Sequence, residues 1–169
     1  MLDAPAATVI TPIARDHEHF LGSDIAGIAG QKAGIMRRGV PCIAAAQEDD
    51  AGAALQDHAA AIGAPLGIMG TDIGWTPLDD GGVAIELDGG VVTLPAPALR
   101  GAHQQANAAL ATAALTAAMP NTPADALSRG VARTVWTGRL HRLADGSLTS
   151  LLDPVSDTHL RAHETTPHL

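Results

Sequence analysis

Four short stretches hold residue types and spacings that could do chemistry. "DHEH" (Asp16–His19) sets carboxylate and imidazole groups side by side, directly after a short apolar segment. Such a group could bind a metal or shuttle protons, and a polar turn that contains histidines fits the same letters. "AGIAGQKAGIM" (Ala26–Met36) carries Lys32, the only lysine in a chain with nine arginines. An ammonium facing a packed interior loses hydration, which lowers its pKa and makes the neutral amine available. A neutral amine can take up carbon dioxide, and the resulting carbamate offers oxygens to a hard cation such as Mg²⁺. The alternative is a lysine that snorkels to solvent at the edge of its helix. "GAHQQANAALATAAL" places Asn107 early in an alanine-rich helix. Asparagine is a poor interior helix residue, so its amide could serve to read a nucleobase edge, or simply belong to a polar first turn. In "WTGRLHRL", Gly138 permits close approach and Arg139 offers a planar fork suited to phosphate, or to a surface ion pair.

These residues need elements to position them. "ATVITPI" (Ala6–Ile13) is β-branched and almost continuously apolar, as a buried parallel strand would be. With Ser23 or Asp24 as N-cap, "DIAGIAGQKAGIM" reads as a helix. Its Ile25, Ile28, Ala29, Lys32 and Ile35 recur at helical spacing, which predicts that Lys32 shares the inward stripe. "VPCIAAA" is the next strand, "DDAGAALQDHAAAIG" a helix ending at Gly63, and "PLGIMG" a further strand. Strand–helix–strand alternation predicts a parallel sheet covered by helices, with ligands at the carboxyl ends of its strands. From Thr71 onward, Asp-Asp-Gly-Gly and Asp-Gly-Gly separate short strand candidates and signal hairpins. A long helix closed by Pro120 follows. The next helix has Thr122 as N-cap and Pro123 at its first position, and two strands then meet around Asp145-Gly146.

Composition limits the function classes. The 169 residues suit one domain, or one domain and part of another. Apolar residues make up 46% but aromatics only 2%, so the core must be Ala, Val, Ile and Leu, packed closely. Ten Lys and Arg against 18 Asp and Glu give a net charge of −8, which argues against nonspecific nucleic-acid binding. The lone Cys42 forms no internal disulfide and fits a reducing compartment. No apolar run approaches the roughly 18 residues of a membrane span. The first residues lack the basic and apolar regions of a secretion signal. The expectation is a soluble, acidic, cytoplasmic α/β chain without nucleic-acid or membrane partners.

Taken in order, "VITPIARDHEHFLG…IAGQKAGIMRRGVP", "GAHQQANAALATAAL" and "WTGRLHRL…LLD" resemble the folylpolyglutamate synthase/dihydrofolate synthase family of Mur-type ligases, over roughly Ala6 to Asp153. The family text runs close to "VITSIGLDHTxxLG…IAxEKAGIxKxGVP", "GxHQxxNAAxAxAA" and "WPGRL". The resemblance implies that residues 1–132 form the later part of a Mur ligase central (ATPase) domain, a parallel sheet with helices plus a small β-hairpin section. Residues 133–153 would start an α/β C-terminal domain. It also implies His17 as a Mg²⁺ ligand, Lys32 as the carbamylated lysine, and Asn107, Arg139 and Asp153 as ATP contacts. The implied reaction uses ATP to phosphorylate a folate or dihydropteroate carboxylate, and the amine of L-glutamate then attacks the acyl phosphate. The full-length enzyme would be a monomer. Gln31 stands where the family has glutamate, Arg15 where it has leucine and Thr137 where it has proline; Gln31 bears most on how Lys32 is held.

Both ends depart from the family. No "GTNGKGS"-like phosphate loop precedes "DHEH", so Met1 is expected not to be the natural start and this chain to have little or no ligase activity. After "LLD", the family's "GAHNP"-like text is replaced by "PVSDTHLRAHETTPHL". His159 and His163 with Glu164 have the spacing of a helical metal site. The stretch also looks like a translated transposase-type sequencing adapter, with Asp157 for the usual Tyr, and residues 154–169 are expected to be artefactual. Three rival readings stay open: another Mur-type ligase acting on a cell-wall precursor, a noncatalytic metal-binding module on "DHEH" and the C-terminal histidines, and a chain with no stable fold.

Overall fold

The computed structural model describes residues 5–13, 25–99, 101, 103–135, 141–145 and 148–152. Three short strands, β1 (Thr8–Ile10), β2 (Cys42–Ala44) and β3 (Leu66–Ile68), form a parallel sheet in that order. Thr8 lies opposite Cys42, and Cys42 opposite Leu66. Parallel neighbours require crossovers, and helices α1 (Ile25–Ala33) and α2 (Asp49–Ile62) supply them.

Strand side chains alternate between faces, so each strand feeds two cores. On one face Ile10, Cys42, Ala44 and Ile68 pack with Ile25, Ala29 and Ala33 of α1 and Ala51, Leu55 and Ala59 of α2. On the other, Ile43 and Met69 meet helix α3 (His103–Ala118) through Ala109, Leu110, Ala113 and Ala114. Alanine and glycine at these contacts let helices approach the sheet closely. A Cβ on Gly67 would stand 3.0 Å from the Ile73 side chain. Val83, Ile85 and Leu94 complete this second core from an antiparallel sheet of β4 (Trp75–Pro77), β5 (Val83–Leu87) and β6 (Gly90–Leu94). Fully burying side chains such as Leu55, Ile85 and Leu94 contributes roughly 1.5–3 kcal/mol each.

Local signals end most elements where the sequence predicts. Gly63 closes α2 at φ 69°, and the Ala64 N–H donates back to the Ala59 carbonyl at 2.9 Å. The first hairpin turns at Asp80-Gly81: Gly81 has φ 84°, and the Asp80 carboxylate accepts from the Gly82 N–H at 2.8 Å. Alanine-rich α3 stops just before Met119-Pro120. Strands β7 (His141–Asp145) and β8 (Leu148–Leu152) pair antiparallel as a sheet of their own. Among the described residues, no helix is long and apolar enough to cross a membrane.

Four expectations are corrected. Helix α4 (Ala124–Arg133) has Pro123 as its N-cap, and the Thr122 hydroxyl donates to the Met119 carbonyl at 2.8 Å instead of capping. Thr122 is thereby spent on the preceding turn. Lys32 does not share the inward stripe of α1. The buried row is Ile25, Ile28, Ala29 and Ala33, with Met36 just beyond, so Lys32 and Ile35 turn outward and are exposed. Helix α1 also ends at Ala33, because Gly34, Ile35 and Met36 make tight turns back to Gln31, Lys32 and Ala33. Arg37 then donates to the Gly34 and Met36 carbonyls at 2.9 and 2.8 Å, a cation placed where helix carbonyls run out. Finally, Val9 is 39% exposed although its strand reads as buried, because it lines an open cavity on the α3 side of the sheet.

Candidate functional site

The end of β1 is held by a side chain from the neighbouring strand's exit. Gln47, three residues beyond β2, accepts from the Ile13 N–H at 3.0 Å and donates to the Thr11 carbonyl at 3.3 Å. The Ala45 N–H also donates to the Ile10 carbonyl at 2.8 Å, which prolongs the ladder by one step. Together these bonds hold the chain as far as Ile13.

The start of α3 is tied down in three ways. Gly101, at φ 119°, accepts from the Gln104 N–H at 3.0 Å, and the His103 ring folds over it; a Cβ there would come within 2.7 Å of the ring. Gln105 donates through Nε2 to the Gly81 and Gly82 carbonyls at 3.0 and 2.9 Å, pinning the hairpin turn to the helix. Gln104, only 7% exposed, has its Nε2 at 3.0 Å from His103 Nε2 and accepts through Oε1 from Asn107 Nδ2 at 3.2 Å.

Between these two anchored segments lies a cavity of about 630 Å³. Val9 and Thr11 come from β1 and its exit, Leu99 from the segment before α3, Gln104 and Asn107 from α3, and Thr134 from just beyond α4. Its walls are mostly apolar, with two amides and two hydroxyls, and no ionisable side chain among the described residues lines it. Such a lining suits a flat, hydrogen-bonding ligand more than proton transfer. Val9 and Thr11 put the cavity beside the carboxyl end of β1, the end of a parallel sheet where ligands commonly bind.

Of the sequence-predicted site residues, Asn107 lies on this cavity. Lys32 sits on α1, across the sheet from α3, and is not among the residues lining the cavity. His17, Arg139 and Asp153 lie outside the described residues, as does the C-terminal histidine group. Among the described residues, no three His, Cys, Asp or Glu side chains are grouped to hold a metal ion. Cys42 is fully buried on β2; burial pushes its thiol up, and the Thr8 hydroxyl beside it pulls it partly back, so it stays a protonated core residue. Gln47, Gln104 and Thr134 were not singled out from sequence. Gln104 precedes Asn107 by three residues, one helical turn, and that spacing is the signal that could have found it.

No family model matches the chain. Known proteins nevertheless do. The dihydrofolate synthase/folylpolyglutamate synthase of Mycobacterium tuberculosis is 35% identical over 175 residues, covering 85% of this chain and 32% of that protein. A mitochondrial folylpolyglutamate synthase of Bos taurus is 32% identical over 180 residues, covering 91% of this chain and 28% of its own length. Among solved structures, E. coli FolC in complex with DHPP and ADP matches with a TM-score of 0.73 and 30% identity, over 88% of this chain and 34% of that one. The α/β fold is thus of the Mur-ligase kind. The chain belongs to the folylpolyglutamate synthase/dihydrofolate synthase family, and spans about a third of the length of the relatives it matches.

Proposed function

We propose that this chain is the nucleotide-side part of an ATP- and Mg²⁺-dependent ligase that joins L-glutamate to a folate or dihydropteroate carboxylate. The observation that carries the reading is the cavity at the carboxyl end of β1 with the Asn107 amide on its wall, in a chain whose matching E. coli structure holds DHPP and ADP. The apolar walls take the faces of a purine, and the Asn107 amide takes its hydrogen-bonding edge. Arg139 and Asp153 are further ATP contacts in this reading. In the reaction, a substrate carboxylate oxygen attacks the γ-phosphorus of ATP and ADP leaves, giving an acyl phosphate. The amine of glutamate then attacks the acyl carbon, phosphate departs, the amine loses its proton, and an amide remains.

Mg²⁺ belongs to the proposal through His17 and Lys32. As an ammonium, Lys32 would repel the ion; as a carbamate it would offer two oxygens. When bound, the ion would offset charge on the phosphoryl group. The same reading makes residues 1–132 part of the central domain and 133–153 the start of the next, supported by the separate β7–β8 sheet. It further makes the enzyme a cytoplasmic monomer whose partners are its small-molecule substrates.

Titration calorimetry of ATP into the 169-residue chain tests the reading. ATP binds, and Asn107→Ala weakens it about tenfold, the cost of one good edge contact. Equal ATP affinity in the two proteins, or none in either, refutes the assignment.

A further inference from the structure

We infer that Asp88 is a site of spontaneous isomerisation to isoaspartate, and that the identical dipeptide Asp80-Gly81 in the same sheet is held against that reaction. The inference is independent of the ligase reading, since no residue of β5, β6 or the turn between them lines the cavity. The chemistry joins two neighbouring groups. The Gly89 nitrogen attacks the Asp88 side-chain carboxyl carbon, the nitrogen loses its proton, and water leaves from the carboxyl group to give a succinimide ring. Water then opens the ring. Opening at the side-chain carbonyl restores aspartate. Opening at the main-chain carbonyl routes the backbone through the side chain and frees an α-carboxylate. The reaction needs no reagent beyond solvent, and glycine after aspartate favours it because no Cβ shields the attacking nitrogen.

The two Asp-Gly pairs differ in what holds their reacting atoms. Asp88 and Gly89 form the exposed turn between Leu87 and Gly90. Among the described residues, nothing bonds the Asp88 carboxylate or accepts from the Gly89 N–H. A Cβ on Gly89 would meet nothing within 4 Å, so the turn is uncrowded. At the other turn, both reacting groups are engaged. The Gly81 N–H donates to the Leu78 carbonyl at 2.9 Å, and the Asp80 carboxylate accepts from the Gly82 N–H at 2.8 Å. Gln105 fastens the Gly81 and Gly82 carbonyls to α3, so this backbone cannot bring nitrogen and carboxyl together without breaking those bonds. Isomerisation at Asp88 adds one methylene to the backbone of its turn. The pair Leu87 and Gly90 then loses its register, while Val83 opposite Leu94 stays anchored because both side chains are buried in the second core.

The test is site-resolved mass spectrometry of the full 169-residue chain aged in warm neutral buffer. Digestion with a protease that cuts at aspartate but not at isoaspartate reveals the isomer, and electron-transfer fragmentation locates it. Isoaspartate accumulates at residue 88 about tenfold faster than at residue 80, the effect of the hydrogen bonds that the held turn must break. In urea strong enough to unfold the chain, the two sites convert at similar rates, because the dipeptide alone then decides. Gly89→Ala loses most of the conversion at Asp88. Its backbone is not left-handed and its surroundings are open, so this variant folds as the wild type does and the loss reads the chemistry. Equal rates at the two sites in the folded chain overturn the inference. So does an absence of conversion at Asp88 in the folded chain, or a Gly89→Ala protein that converts as fast as wild type.

Discussion

Replacing Gln47 with alanine removes the clamp on the exit of β1, and its cost can be worked out from the two bonds it makes. The Ile13 N–H, on a residue only 4% exposed, loses its acceptor and gains no water in return. The Thr11 carbonyl belongs to an exposed residue, so losing the Gln47 donor there is offset by solvent. The loss is therefore set by one stranded buried donor, about 1–3 kcal/mol, with little added by the second bond. Gln47→Glu keeps an acceptor for Ile13 and forfeits only the Thr11 contact, so it costs less, roughly 0.5–1 kcal/mol. Urea titration of the three proteins gives these differences as shifts in midpoint at constant slope. Amide hydrogen exchange followed by NMR adds a local reading, because the Ile13 proton should exchange much faster in Gln47→Ala and nearly as slowly as wild type in Gln47→Glu. A Gln47→Ala protein as stable as wild type, with Ile13 exchange unchanged, refutes the reasoning. So does a Glu variant that loses more than the Ala variant.

Two further outcomes follow from the same geometry. Gly63→Ala forces a Cβ onto a left-handed backbone while meeting nothing closer than the Arg38 side chain at 3.9 Å, so its cost is conformational alone. Thermal melts should show about 1–2 kcal/mol of destabilisation, a few degrees in Tm. Cys42 should resist a thiol reagent in the folded chain and react once unfolded. Because burial raises its folded-state pKa, the unfolded thiol ionises first, so the stability it contributes is complete below the ordinary thiol range near about 8.5 and declines as pH rises beyond it. Urea midpoints between neutral and alkaline pH should fall more steeply for wild type than for Cys42→Ala, and parallel declines would remove Cys42 as the cause.

By itself the sequence determined what is written into a few neighbouring residues. Gly63 ends a helix because only glycine sits easily at φ 69°, and Asp80-Gly81 turns a hairpin for the same local reason. β-Branched runs between helical periods are enough to specify a parallel sheet with crossovers. Asn107 was legible too, since a helix-poor amide in an alanine-rich stretch calls for a purpose beyond helix stability. Even locally the reading had limits: Thr122 and Pro123 both suit a helix start, and the chain shifted the cap by one residue because the Thr122 hydroxyl found the Met119 carbonyl.

Tertiary structure decided everything that depends on which elements meet. The row on α1 that turns inward is fixed by where α2 and the sheet lie, and a rotation of one residue about the helix separates buried Ala33 from exposed Lys32. Gln47 clamps groups 34 and 36 residues away, and Gln105 reaches a turn more than twenty residues upstream. The pattern of a sequence states period and turn, which are properties of one stretch of backbone. A polar side chain's partner is set by packing between layers, and the same amide that binds a distant carbonyl in one arrangement would face water in another.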